Sequence, residues 1–245
     1  MTPRRTMATA RRVLAQLRHD KRTIALMLVV PVVLISLLKW VLDATPGAFN
    51  SVGLSLLGIF PFVSMFLITS VATLRERKSG TLERLLAMPL GKADLVFGYQ
   101  IAFGTFAVLQ ALIATSVTVW GLGLKVIGPT WAVVLVAVVV AELGTAMGLF
   151  ISAFAETEFQ AVQFMPAMVL PQFLLCGLLA DRQAMTTPLR WLSDVLPLSY
   201  AVDAMQRIST QTYVSRATWL DLGVVLAFVL SSLLLGAVTL RRRTD

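Results

Sequence analysis

Long apolar runs dominate the chain, and the charged residues collect in the gaps between them. A helix needs about 20 mostly apolar residues to cross a bilayer core. Six stretches fit that requirement: 24–42, 51–74, 95–122, 131–154, 161–180 and 220–240. The predicted fold is therefore an all-α polytopic membrane protein, one transmembrane domain over residues 1–245 with six transmembrane helices. Pro31 is expected to kink the first span. Lys39 and Trp40 lie near its far end, where lysine snorkels and tryptophan prefers the interface. Pro166 and Pro171 are expected to interrupt the fifth span. Gly144, Ala146 and Gly148 predict close helix packing in the fourth.

The gaps have their own patterns. Residues 1–22 interleave Val13, Leu14 and Leu17 with Arg4, Arg5, Arg11, Arg12, Arg18, Lys21 and Arg22, which predicts an amphipathic helix at the membrane surface. The loop 75–94, RERKSGTLERLLAMPLGKAD, is the most strongly charged internal segment. Ser79–Gly80–Thr81 should end the preceding helix, and Thr81 is placed to cap a short new one carrying Leu82, Leu85 and Leu86 on one side with Glu83 and Arg84 on another. Met88–Pro89 closes that helix. Such a helix suits a soluble partner that delivers force; a solvated loop of no special role accounts for the same residues. Residues 155–160, AETEFQ, make a short acidic connection. Residues 181–219 are too apolar for an open loop and too charged for a span, with Trp191 and Leu192 beside Arg190 and Asp194. They predict short re-entrant or interfacial helices, covered by protein or lining a cavity.

Composition and charge sharpen this picture. At 57% hydrophobic residues the chain exceeds the usual soluble range. The net charge of +8 sits at the ends of apolar runs, which argues for membrane orientation and against a nucleic-acid partner. With the N-terminus in the cytoplasm, the basic residues of 1–22, of 75–94 and Arg241–Arg243 fall on that side. The other side receives Lys39, Lys125, Arg182, Arg190, Arg207 and Arg216. The positive-inside rule thus favours N-in and C-in. Cys176 has no cysteine partner for an internal disulfide, and no cleavable signal peptide is visible.

Catalytic signatures are missing from these residues: no P-loop, HExxH, CxxC or GxSxG occurs, and His19 stands alone. The notable intramembrane charge is Glu142 in VVVAELGTAMG, a functional-site candidate by default. Its plain alternative is a glutamate that joins helices, hydrogen-bonded to Gln110 or Thr115.

The order of these features resembles the ABC-2 type permeases, the membrane subunits of bacterial ABC exporters of the daunorubicin-resistance and nodulation-export kind. The resemblance covers essentially the whole chain, and ERKSGTLERLLAMP and LPLSYAVDAM carry it most specifically. It implies a multi-pass subunit of the bacterial inner (cytoplasmic) membrane, without a cofactor of its own. It implies a second permease copy, as homodimer or heterodimer, and two copies of a separate ABC ATPase that bind ATP and Mg. It makes 1–22 a connecting helix and 75–94 a coupling-helix loop, with Glu76, Gly80, Thr81, Leu82, Glu83, Arg84, Leu85, Leu86 and Pro89 meeting the ATPase. Glu156 and Glu158 become a second, smaller ATPase contact. Phe60, Met65, Phe66, Gln110, Glu142, Phe164, Met168, Gln172 and Phe173 are implied substrate-path residues, although such aromatics and methionines also serve as ordinary helix packing. Trp191, Pro197 and Tyr200 would form an outer gate or a static lid. The implied function is ATP-driven export of a hydrophobic or amphipathic compound: a drug, a lipid or a lipid-linked glycan. An ion- or proton-coupled secondary transporter using Glu142 is the main alternative, and a membrane anchor for an enzyme the third.

Overall fold

The computed structural model describes residues 2–45, 47–79 and 91–239, and every regular element among them is helical. The chain opens with α1 (Pro3–His19) and α2 (Lys21–Val41). Asp20 separates them, accepting the Thr23 N–H at 3.1 Å and capping α2. There follow α3 (Ala48–Lys78), α4 (Lys92–Ser116), α5 (Thr130–Ser152) and α6 (Glu158–Leu175). A wider turn at Val117–Gly121 extends α4. Two short helices, α7 (Thr187–Val195) and α8 (Pro197–Thr210), precede α9 (Arg216–Thr239). Among the described residues, five helices are long and apolar enough to cross a membrane: α2, α3, α4 with its extension, α5 and α9.

At the centre lies α3. Its apolar window is 72% buried, against 17% for α2 and 33% for α9. The two outer helices keep exposed apolar flanks such as Val29, Val33 and Leu37 on α2 and Leu230 and Leu234 on α9, which lipid tolerates. The closest partner of α3 is α5. A Cβ added at Gly144 would come 2.3 Å from the Phe62 carbonyl oxygen, and one at Gly148 would come 2.6 Å from that of Phe66. The close packing expected around these glycines is therefore present, and it lets two backbones approach where lipid offers no hydrophobic drive for association.

At 31 residues α3 is about 46 Å long, well over a bilayer core. It begins earlier than the expected 51 and runs past 74, so Arg75–Lys78 form its last turn instead of opening a loop. Ser79 ends it as expected. Residues 80–90 lie outside the described residues. So do the expected contacts Gly80, Thr81, Leu82, Glu83, Arg84, Leu85, Leu86 and Pro89.

The bundle has two recognisable ends. One carries α1. At the far end the Lys125 N–H donates to Asn50 Oδ1 at 3.1 Å and the Gly128 N–H to the Ile208 carbonyl at 3.0 Å, while Trp131 packs on Trp219. Between the ends runs α6, continuous through Pro166 and Pro171 rather than broken by them. It starts beside Arg75 and finishes at Leu175, whose carbonyl accepts the Ser193 hydroxyl. Gly177, at φ +90°, then turns the chain. The helix therefore stops short of the expected Ala180. The predicted short helices of 181–219 are α7 and α8. The apolar face of α8, from Leu198 to Ile208, is buried, and Met205 packs on Gly58 of α3.

Candidate functional site

The α1 end gathers charged side chains from four helices, α1, α3, α4 and α6. α1 buries Thr6, Thr9, Ala10, Val13 and Leu17 on one stripe and lies along α4. Gly98 makes that approach possible: a Cβ there would meet Thr9 at 2.7 Å and the Thr6 carbonyl at 3.0 Å.

Two acidic residues pin α1 in place. Glu76, only 7% exposed, pairs with Arg12 at 2.6 Å and accepts a hydrogen bond from the Tyr99 hydroxyl. Arg12 in turn donates to the Tyr99 oxygen at 2.9 Å. One guanidinium, one carboxylate and one phenol thus join α1, α3 and α4. Asp94, in the first turn of α4, accepts the Thr2 N–H at 2.8 Å and the Thr6 hydroxyl at 3.1 Å. Glu76 and Asp94 flank segment 80–90 on either side, and both are bound to α1.

The next residues on α3 point elsewhere, because neighbours on a helix are about 100° apart. Arg75 grips Glu158 with two parallel hydrogen bonds of 2.8 Å, the planar fork-to-fork geometry of guanidinium and carboxylate. Arg77 donates to the Ala153 carbonyl at 2.8 Å and to that of Ala155, satisfying the open end of α5. Thr157 accepts the Gln160 N–H at 3.0 Å and Gln160 reaches back to the Glu156 N–H at 2.8 Å, a reciprocal cap for α6. The hydrogen bonds from Arg75 hold the Glu158 carboxyl below its ordinary pKa. The last turn of α3 therefore touches α1 on one side and the α5–α6 turn on the other.

In mid-bundle, Glu142 is partly buried between α4 and α5. Its carboxylate accepts Gln100 Nε2 at 2.5 Å, and its backbone carbonyl accepts the same nitrogen at 3.2 Å. The expected partners were Gln110 or Thr115. The two helices run in opposite directions, so Gln100 is level with Glu142 and Gln110 is about 15 Å further along α4. Gln110 and the Thr115 hydroxyl are buried with no hydrogen-bond partner among the described residues.

The far end has a second charged cluster. Arg182 binds both Asp194 and Asp203 and lies over the Tyr200 ring at 5.6 Å. Arg207 pairs with Asp221 of α9. The Tyr200 hydroxyl donates to the Asp194 carbonyl at 2.6 Å. Burial lifts the Asp203 pKa above the ordinary value, against the pull of Arg182 and Arg207. Of the expected gate residues, Pro197 is buried, Tyr200 is tied into this cluster and Trp191 is exposed.

The expected substrate-path residues are not gathered at one surface. Met65, Phe66 and Gln110 are fully enclosed within the chain, and Gln172 is buried. Phe60, Phe164, Met168 and Phe173 are partly buried and pack against the core. Glu76 likewise has its partners inside the chain, Glu158 is held by Arg75, and Glu156 is exposed. Arg12, Arg75, Arg77, Asp94, Tyr99 and Gln100 were not among the expected site residues. The signal for Arg75 and Arg77 was charge directly following a long apolar run, and for Gln100 its polarity in an apolar span.

With this geometry in view, the comparisons fix the class. Residues 5–209 match the family model described as ABC-2 type transporter, so the chain belongs to that family of membrane proteins. It is 25% identical over 187 residues to ABC transporter G family member 20 of Dictyostelium discoideum, covering 76% of this chain and 26% of that protein. To the probable multidrug ABC transporter permease YbhR of Escherichia coli it is 25% identical over 154 residues, 63% of this chain and 42% of the other. To the linearmycin resistance permease protein LnrN of Bacillus subtilis it is 25% identical over 204 residues, 81% of this chain and 51% of the other. The chain thus spans from about a quarter to about half the length of these relatives.

Proposed function

We propose that this chain is the membrane permease of an ABC exporter and acts with a separate ATPase. The observation that carries the reading is the α1-end junction in a chain of this family: α1, both flanks of segment 80–90 and the α5–α6 turn are bonded into one unit. A partner docked on segment 80–90 and on the turn around Glu156 would move α3 and α4 together with α1, a rigid-body switch. Glu76 and Asp94 act as tie points for the loop, while Leu82, Leu85 and Leu86 are the apolar anchors offered to the ATPase groove. ATP and Mg bind the partner, in two copies, beneath a pair of permeases. The presence of two such permeases in Escherichia coli, YbhR and YbhS, both similar to this chain, fits a heterodimer as readily as a homodimer.

The domain has six spans with both termini in the cytoplasm of a bacterial inner membrane. Supporting the sixth span, the chain leaves α5 at the α1 end and must begin α9 at the far end, where Trp131 meets Trp219. At 18 residues α6 covers about 27 Å and makes that crossing. Cargo is a hydrophobic or amphipathic compound, a class consistent with the multidrug and linearmycin-resistance names of the relatives. The path lies between the two permeases, along α6 and the reachable part of α3.

The test is co-purification with the ATPase encoded beside it, followed by ATP hydrolysis in lipid. The chain alone should be inert, and a complex should hydrolyse ATP at a rate that falls when Leu82, Leu85 and Leu86 are changed to serine together. Complex formation and hydrolysis untouched by that change would remove the coupling assignment. Transport driven by a proton gradient, dependent on Glu142 and indifferent to the ATPase, would replace it with secondary transport. The Gln100–Glu142 hydrogen bond favours a helix-joining role for that carboxylate.

A further inference from the structure

The far end contains a cavity of about 500 Å3, within the range of small-molecule sites. Its walls are charged in both signs: Arg182, Arg190 and Arg207 face Asp181, Asp194 and Asp203. Most of these charges are spoken for, since Arg182 holds Asp194 and Asp203, and Arg207 holds Asp221. Two are not. Among the described residues, the Arg190 guanidinium has no ion-pair or hydrogen-bond partner, and the Asp181 carboxylate accepts only the backbone N–H of Gln183, at 2.9 Å. The cavity thus offers one uncommitted cation and one uncommitted anion. Arg182 Nε adds a buried donor with no partner.

The wall that carries Arg190 is α7, which has a second face. Ser193, buried, donates to the Leu175 carbonyl, and the exposed Arg190 and Asp194 line the cavity, so the polar side of α7 borders it. Leu189, Trp191, Leu192 and Val195 occupy the remaining arc and are exposed, at 45–69%. A polar cavity thus adjoins an apolar helix face suited to lie in a membrane interface.

We propose that this is a binding site for an amphiphile with a zwitterionic headgroup, an oxyanion next to an amine, with its alkyl chain along α7. Arg190 takes the oxyanion and Asp181 the ammonium. Arg182, fixed between two aspartates, holds the cavity open between α7 and α8. A headgroup of single charge would leave one of the two uncommitted residues without a partner. The site lies away from the α1-end junction, and its binding chemistry stands apart from the coupling to an ATPase. In the exporter reading it is the point where cargo or an outer-leaflet lipid meets the outer mouth.

Binding can be measured on the purified chain in maltoside micelles, without any ATPase, so failure here is distinguishable from failure of the permease reading. The probe is a single-chain phosphoethanolamine amphiphile brominated along its chain, which quenches Trp191 when bound; Trp191→Phe sets the background from the other tryptophans. Saturable quenching is expected. R190Q and D181N should each weaken it about fivefold, the effect of losing one partly solvated charge pair. Thermal unfolding of both variants should match the parent, because neither residue holds the fold together. Chain-free phosphoethanolamine at millimolar concentration should compete, and an uncharged amphiphile of the same chain should bind parent and variants alike. Equal affinity for the zwitterionic and uncharged probes would overturn the proposal, as would a purely anionic amphiphile that binds as tightly as the zwitterion. Failure of R190Q and D181N to weaken quenching would also overturn it.

Discussion

The two ends of the bundle both use arginine–carboxylate pairs, and they use them differently. At the far end Arg182, Asp194, Asp203, Arg207 and Asp221 come from one stretch of chain, and their pairs shape a local cap around a cavity. At the α1 end the partners are distant in sequence: Arg12 with Glu76, and Arg75 with Glu158. Pairs of the first kind stabilise a shape. Pairs of the second kind join helices far apart in the chain, so that displacing one displaces the others. A unit that passes motion between elements needs the second kind, and it is found where the flanks of segment 80–90 meet α1 and the α5–α6 turn.

The contrast can be broken by substitution. The largest effect is expected at Glu76. Alanine there leaves Arg12 half-buried without its carboxylate and the Tyr99 hydroxyl without its acceptor, a loss of about 3–5 kcal/mol. Thermal unfolding in detergent would show it, and an R12A/E76A double variant should lose at least about 1 kcal/mol less than the two single losses added. Next comes Arg182→Ala, expected to cost about 2–3 kcal/mol by freeing Asp194 and Asp203, while proteolytic protection of α1 stays at the parent level. Gln100→Ala in mid-bundle should cost about 1 kcal/mol, the usual scale of interhelical hydrogen bonds in membranes.

The smallest effect belongs to Glu158→Gln, under about 1 kcal/mol, since both members of that pair are more than a third exposed. It also carries a pH signature. The Glu158 pKa lies below its ordinary value, so the pair contributes fully above the ordinary glutamate range and fades as pH falls below that range through the lowered value. The stability difference between parent and Glu158→Gln should shrink in that acid window and stay constant above it.

How much of this was legible beforehand follows from the range of the forces involved. Hydropathy marks spans locally, and α2, α3, α4, α5 and α9 lie where the apolar runs do. The short helices of 181–219 were legible from the mixed composition of that stretch, and Gly144 and Gly148 from their size. Pro166 and Pro171 misled on α6, because a proline removes one backbone bond and neighbouring packing can keep the helix intact. The site was less legible. Arg75 and Arg77 read as part of a loop because helical charge beyond Leu74 looks like solvated charge until the partners 153–158 are brought alongside. Glu142 was identified as notable, but its partner depends on the register of α4 against α5, which no local pattern encodes.

The central claim is that the α1-end junction makes coupling, as distinct from docking, depend on Glu76. The most direct test is transport per ATP hydrolysed, in proteoliposomes containing the permease–ATPase complex, for the parent and for Glu76→Gln. The conservative change keeps volume and weakens the link to Arg12. The complex should form and hydrolyse ATP, while transport per ATP falls at least about fivefold, the equivalent of roughly 1 kcal/mol of lost coupling. An unchanged ratio in an intact complex would contradict it.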